Sequence, residues 1–159
     1  MKTILFVDDD EGFRELLKRV FQEEGYRVVL AEDGPEATGI VVKERPDVAI
    51  LDVRMPKKSG LDLAEELHAM APELPVILYT AYDDMCLYDH RTRFVSACVD
   101  KSSGFTDLLL AVLRALLPAG QSDRFRIGLA PRPEVKLPAA LKSDCVFRSG
   151  ELGVGKGGS

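Results

Sequence analysis

Residues 2–10, KTILFVDDD, run a short apolar, β-rich stretch straight into three carboxylates, Asp8, Asp9 and Asp10. The design repeats at residues 48–52, VAILD, where the stretch ends on Asp52 and is followed by Met55-Pro56. It returns less cleanly at residues 95–101, VSACVDK, ending on Lys101. Short β-rich runs bounded by polar turns read as buried parallel strands. An open parallel sheet binds its ligands at the carboxyl ends of its strands. The spacing therefore brings three carboxylates (Asp8, Asp9, Asp52) and one ammonium to one rim, a set suited to Mg²⁺ and a phosphoryl group.

Outward from these runs, strand and helix patterns alternate to about residue 117. Phe13, Leu16, Leu17, Val20 and Phe21 follow the spacing of an amphipathic helix, which Gly25 stops. Residues 26–31 read as a second strand, and Asp33-Gly34-Pro35 opens a second helix with a capping Asp and an early proline. Pro46-Asp47 leads into the third strand. Gly60 begins a third helix carrying Leu61, Ala64 and Leu67, which ends near Pro72. Residues 75–80 predict a fourth strand, residues 83–93 a short polar helix, and residues 95–99 a fifth strand. Leu109, Val112, Leu113 and Leu116 mark the last helix, closed by Pro118. Five strands alternating with five helices predict an α/β fold: a flavodoxin-like, doubly wound, five-stranded parallel sheet with helices on both faces. The right-handed crossover favours the order 2-1-3-4-5, which sets Asp8, Asp9 and Asp52 at the switch point between strands 1 and 3.

The chain of 159 residues suffices for one well-buried domain, expected over residues 1–118. A hydrophobic content of 46% with 30% charged residues is ordinary for a globular protein. The net charge of −5 and pI near 5.1 argue against a nucleic-acid or anionic-membrane surface. No apolar stretch approaches ~18 residues, and the N-terminus lacks a signal-peptide layout. Three cysteines, Cys86, Cys98 and Cys145, without Cys-x-x-Cys spacing, fit reduced thiols in a cytoplasmic protein. From residue 118 onward the composition changes. Four prolines, seven of the thirteen glycines and seven Lys/Arg against four Asp/Glu give this stretch +3, leaving −8 on residues 1–117. Residues 119–159 are therefore expected to be a flexible Pro/Gly-rich tail without an output domain.

Mg²⁺ takes oxygen ligands, commonly one or two carboxylates with water and phosphate oxygens. Asp8 and Asp9 facing Asp52 would repel one another without a cation, whereas Asp10 reads as the cap of the first helix. Taken alone, Thr80 is a strand-end hydroxyl and Lys101 a solvated loop charge. Residues 46–60, PDVAILDVRMPKKSG, change that reading, because they resemble the two-component response-regulator receiver domain. The resemblance covers nearly all of residues 1–117. VDDDE at residues 7–11 fits the family's acidic motif, and Ala31, Asp33, Gly34, Glu36 and Ala37 fit its second-helix entry. Asp52 with Met55, Pro56 and Gly60 fits the phosphoacceptor motif, Thr80-Ala81 the hydroxyl-plus-small step, and Lys101 the lysine.

The resemblance implies that Asp52 accepts a phosphoryl group from a sensor histidine kinase or phosphotransfer protein. It implies that Asp9 and Asp52, with the Arg54 backbone carbonyl, hold Mg²⁺ while Asp8 acts through water. Thr80 and Lys101 would then contact the phosphoryl group. The surface around the fourth helix, fifth strand and fifth helix would change and be read by a downstream protein target. Such a protein phosphorylates and dephosphorylates itself and is not a turnover enzyme. A phosphorylation-dependent homodimer is left open; direct DNA binding and membrane association are not expected.

Two departures stand out. Receivers place an aromatic three residues before the lysine, where this chain has Cys98, read here as a small buried hydrophobe. They also commonly follow the lysine with proline, where this chain has Ser102 and Ser103. The stretch between Thr80 and Lys101 is unusually polar, with Asp83, Asp84, Asp89, His90, Arg91 and Arg93. Arg54 and Tyr82, two residues beyond Asp52 and Thr80, form a bulky pair expected to shield the acyl phosphate from water. A phosphatase of the haloacid-dehalogenase type is the competing reading, through Asp8-x-Asp10, Thr80 and Lys101. It lacks the Thr or Val wanted after the second Asp and leaves Asp52 without a role. A pseudo-receiver binding a partner without phosphorylation is a third reading; the complete acidic set argues against it, while Cys98 and Ser102 keep it open. Residues 150–157, GELGVGKG, nearly spell a phosphate-binding loop, but Gly157 replaces its Ser/Thr and no strand precedes it. His68 and His90 read as surface residues.

Overall fold

The computed structural model describes residues 1–81 and 89–118. Among them are five strands, β1 (Thr3–Val7), β2 (Arg27–Ala31), β3 (Val48–Leu51), β4 (Val76–Thr80) and β5 (Ala97–Asp100). Four α-helices accompany them: α1 (Glu11–Glu23), α2 (Gly34–Glu44), α3 (Gly60–Met70) and α4 (Phe105–Ala115). The strands form one parallel sheet in the order β2-β1-β3-β4-β5. That is the predicted doubly wound arrangement.

Every residue of β1, β3 and β4 is buried, because helices cover both faces and no side needs to be polar. Alternation along the strands divides the core in two. Leu5, Val7, Ala49, Leu51, Val76 and Leu78 pack with Ala37 and Val41 of α2 and with Leu61, Ala64 and Leu67 of α3. Ile4, Phe6, Val48, Ile50, Ile77 and Tyr79 pack with Leu17 and Phe21 of α1 and with Leu108 and Val112 of α4. Burying one such side chain stabilises the fold by about 1.5–3 kcal/mol. No helix among the described residues is long and apolar enough to cross a membrane.

Three helix starts are fixed by side-chain caps. Asp10 accepts from the Phe13 N–H at 2.9 Å, Asp33 from the Glu36 N–H at 2.9 Å, and Ser59 from the Leu61 N–H at 3.1 Å. Each cap ends a loop at the carboxyl rim, so these loops have defined lengths and shapes.

Some boundaries differ from the sequence reading. β5 begins at Ala97, because Val95 still closes a 3₁₀ turn over His90–Phe94 and sheet pairing resumes only with Ser96 on Val76. The helix predicted over residues 83–93 lies partly outside the described residues, and its described end is this 3₁₀ turn. Asp89 imposes it by accepting from the Arg91 N–H at 2.8 Å, while its carbonyl accepts from the Thr92 hydroxyl at 2.8 Å. The turn is fastened to α3 by the Arg91–Asp62 ion pair and by the Phe94 ring 5.0 Å from that of His68. His68 and His90 are exposed, as predicted. Leu16 and Leu113 are 45% and 46% exposed, so the buried stripes of α1 and α4 are narrower than the apolar pattern. Tyr82, Cys86, Cys145, the glycine-rich loop at residues 150–157 and the tail over residues 119–159 lie outside the described residues.

Among the described glycines, Gly60 permits the closest backbone approach. Its N–H donates to the Val53 carbonyl at 2.9 Å. A Cβ there would press on the Asp52 backbone carbonyl and come within 3.0 Å of the Val53 Cα. Gly60→Ala should therefore destabilise the protein by about 1–3 kcal/mol in urea unfolding. An unchanged midpoint would show that the loop after β3 yields freely.

Candidate functional site

β1 and β3 deliver two carboxylates side by side. The Asp8 N–H donates to the Ala31 carbonyl at 3.2 Å and the Asp52 N–H to the Val7 carbonyl at 2.9 Å. Sheet-like pairing thus extends one residue past each strand and fixes both backbones. Asp8 is 1% exposed and Asp52 6%. A buried carboxylate must be paired or hydrogen-bonded. Asp8 accepts from the Asp10 N–H at 2.9 Å through Oδ1 and from Lys101 Nζ at 3.0 Å through Oδ2. Lys101 Nζ also stands 3.4 Å from Asp52 Oδ1.

One ammonium does not balance this site. Asp52 is pushed up to about 6, first by burial and then by the charge of Asp8. Lys101 and the backbone N–H of Arg54 pull the other way and offset only part of that rise. Asp9 is exposed, yet Asp8, Asp9 and Asp52 each offer an oxygen within 4.8 Å of the others. Three hard oxygen donors, two of them buried with excess negative charge, fit a Mg²⁺-sized divalent cation. Both oxygens of Asp8 already accept hydrogen bonds, which suits an indirect role for it. Asp10 stays outside this set because its carboxylate caps α1.

The remaining predicted residues occupy the same rim. Thr80 is buried at the end of β4, next to β3 in the sheet. The Arg54 side chain is exposed, and its backbone N–H faces Asp52. Lys101 opens a 3₁₀ turn over Lys101–Ser103. There the Ser102 N–H donates to Asp100 Oδ1 at 2.7 Å and the Ser103 hydroxyl to the Asp100 carbonyl at 2.7 Å. Cys98 is half-buried against the α2–α3 side of the core, on the strand face it shares with Leu78. A pocket of about 170 Å³ opens beside Asp9, lined also by Glu32, Asp33, Met55, Lys57 and Lys58.

Two residues of the site escaped the sequence reading. Arg14 donates to the Asp8 carbonyl at 2.6 Å, and the Phe13 ring lies beneath Lys101 Nζ, 4.6 Å from its centroid. A cation near a helix N-terminus is disfavoured by the helix dipole, so the position of Arg14 was itself a signal. Phe13 was legible only as a core position of α1.

Residues 4–112 match the family model of the response regulator receiver domain. The chain belongs to that family. It is 43% identical over 117 residues to response regulator MprA of Mycolicibacterium vanbaalenii, covering 72% of this chain and 49% of that protein. To MprA of Mycobacterium leprae it is 38% identical over 123 residues, covering 76% and 53%. The chain thus spans about half the length of the curated relatives it matches. Among solved structures it is similar to response regulator TrrA of Thermotoga maritima in complex with Mg²⁺–BeF, with 40% identity and a TM-score of 0.69 over 73% of this chain and all of that one. It is also similar to a chain in the complex of histidine kinase ThkA with TrrA, with 39% identity and a TM-score of 0.68 over 74% and 100%. This receiver domain is accordingly that of a two-component response regulator, a signalling switch.

Because the folded Asp52 carboxyl titrates above its unfolded value of about 4, ionising it costs stability. Its contribution is intact below the unfolded value and is lost as pH rises through about 6. Asp52→Asn should therefore stabilise the metal-free protein by roughly 1–2 kcal/mol more at about pH 8 than at about pH 4, after discounting for solvent screening. Urea unfolding at the two pH values measures this, and an equal effect at both would rule out the strained carboxylate.

Proposed function

We propose that Asp52 is the phosphoacceptor of a Mg²⁺-dependent signalling switch whose donor is a sensor histidine kinase or phosphotransfer protein. One observation carries the reading: a Lys101 ammonium shared by two buried carboxylates, with a third carboxylate closing the set. In the proposed step an Asp52 oxygen attacks the phosphorus of a phosphohistidine. The phosphorus–nitrogen bond breaks, and the imidazole leaves as an acyl phosphate forms. Asp9, Asp52 and the Arg54 carbonyl would hold Mg²⁺ directly, with Asp8 acting through water. Bound Mg²⁺ supplies neutralisation of the phosphoryl oxygens. Lys101 would shift from Asp8 to pair with one phosphoryl oxygen, and the Thr80 hydroxyl would donate to another.

Modification replaces a strained carboxylate with a group carrying more acceptor oxygens, which can bias a two-state surface. We place that surface around residues 83–93, β5 and α4, where a downstream protein or a second copy would read it. Residues 1–118 form the proposed receiver unit and residues 119–159 a tail. The switch stops at one equivalent and does not turn over. The phosphatase reading requires Asp10 in the reacting set, and Asp10 is engaged with the Phe13 N–H instead.

Incubation with acetyl phosphate and Mg²⁺, read by intact mass, should add one phosphoryl group to the wild type. None should be added to Asp52→Ala or in the presence of a chelator. Equal modification of the variant, or steady release of phosphate far beyond one equivalent, would overturn the assignment. Added Mg²⁺ should also raise the Tm of the wild type, with most of that rise lost in Asp9→Asn and in Asp52→Asn. An undiminished rise in both variants would place the cation elsewhere.

A further inference from the structure

Lys101 faces a positional problem that its two anions do not solve. Its ammonium rides on a flexible four-carbon stem, its side chain is 28% exposed, and Asp8 and Asp52 both pull on it. The Phe13 ring also meets the ammonium, with Nζ 4.6 Å from the centroid, within the range of a cation–π contact. That ring is not a loose surface group. It stacks on Tyr79 at 5.8 Å and 17°, and tilts against Phe6 at 6.0 Å and 60°. Tyr79 and Phe6 are fully buried. The Phe13 backbone is pinned by its N–H on Asp10, in the same loop that carries Asp8 and Asp9. The Cα of Lys101 is set independently by the Asp100-capped turn.

We infer that Phe13 is a positioning residue for Lys101: its ring, fixed on the Phe6–Tyr79 stack, seats the ammonium between Asp8 and Asp52 ready for the phosphoryl group. The catalytic contact belongs to Lys101, and Phe13 acts through it. The aromatic support of this receiver thus lies under the lysine, against α1, on the sheet face opposite Cys98. An aliphatic side chain at position 13 fills the core but offers no quadrupole to the ammonium.

The inference rests on the proposed role of Lys101 only for its kinetic consequence, so the test has two arms on the full chain. In the resting protein, NMR of ¹³C-labelled lysine reads the Cε protons of Lys101. A ring-current shift to high field is expected in the wild type and in Phe13→Tyr, and its loss in Phe13→Leu. Phe13→Met takes the place of the leucine variant should that one unfold. With acetyl phosphate and Mg²⁺, Phe13→Leu should phosphorylate about fivefold more slowly than the wild type, and Phe13→Tyr within about twofold of it. In a Lys101→Ala background Phe13→Leu should slow the reaction no further, which a merely structural role for the ring would not produce. A Lys101 signal indifferent to Phe13→Leu, or an equal slowing with and without Lys101, overturns the inference. A wild type that takes no phosphoryl group overturns the functional reading instead, while the NMR arm still decides the seat of Lys101.

Discussion

Asp8 and Asp52 are withdrawn from water at the ends of adjacent strands, and two neighbouring carboxylates in that setting are unfavourable unless positive charge or hydrogen-bond donors reach them. The local structure is organised around that demand. Asp8 is satisfied from two directions, by the Asp10 N–H and by Lys101. Asp52 is left with a looser 3.4 Å ion pair and one backbone donor, and its proton affinity rises. The imbalance falls on the carboxylate proposed to react. A site held slightly short of positive charge is one in which a cation, and then a phosphoryl group, changes the local energy most.

The sheet supplies the geometry this requires. Parallel strands with both faces covered place their carboxyl ends at one edge, and the order β2-β1-β3-β4-β5 sets Asp8 just after β1, Asp52 just after β3 and Thr80 at the end of β4, on successive strands. The rim is then narrowed by close approaches more than by bulk. Gly60 brings the start of α3 against the Asp52 backbone, and Arg14 ties the Asp8 carbonyl to α1. Helix caps at Asp10, Asp33 and Ser59 keep the intervening loops from wandering. Fixed backbones cost nothing at the moment of reaction, which is how preorganised charge becomes effective.

The fold was legible where physics is local. Strands buried on both faces show as unbroken apolar runs, so β1 and β3 could be read with the acids that follow them. Asp10 and Asp33 could be read as caps because a cap depends on residues three positions away. Periodicity names the apolar side of a helix but not how far its neighbour reaches, so Leu16 and Leu113 are more exposed than their spacing suggests. The end of the 83–93 segment went against expectation because one side chain, Asp89, turns the chain back on itself. Phe13 showed only as a core position and Arg14 only as a cation misplaced near a helix N-terminus, and their partners were hidden for a different reason. What they touch is set by the crossing of α1 over the rim, and Lys101 lies 88 residues from Phe13 in the chain.

The departures from the family pattern carry their own logic. Proline after the lysine would remove a backbone donor, whereas Ser102 has one and spends it on Asp100, so the turn presenting Lys101 is held by a hydrogen bond. Cys98 leaves the Thr80 side of β5 with a small side chain, and the large rings gather on the opposite face as Phe6, Phe13 and Tyr79. The aromatic stack thus lies under the ammonium, and aliphatic side chains and Cys98 line the opposite face of the sheet. Among the described residues the core cluster that Cys98 joins holds no aromatic ring, so in the proposed switch motion on that side would not wait on a ring of that cluster turning.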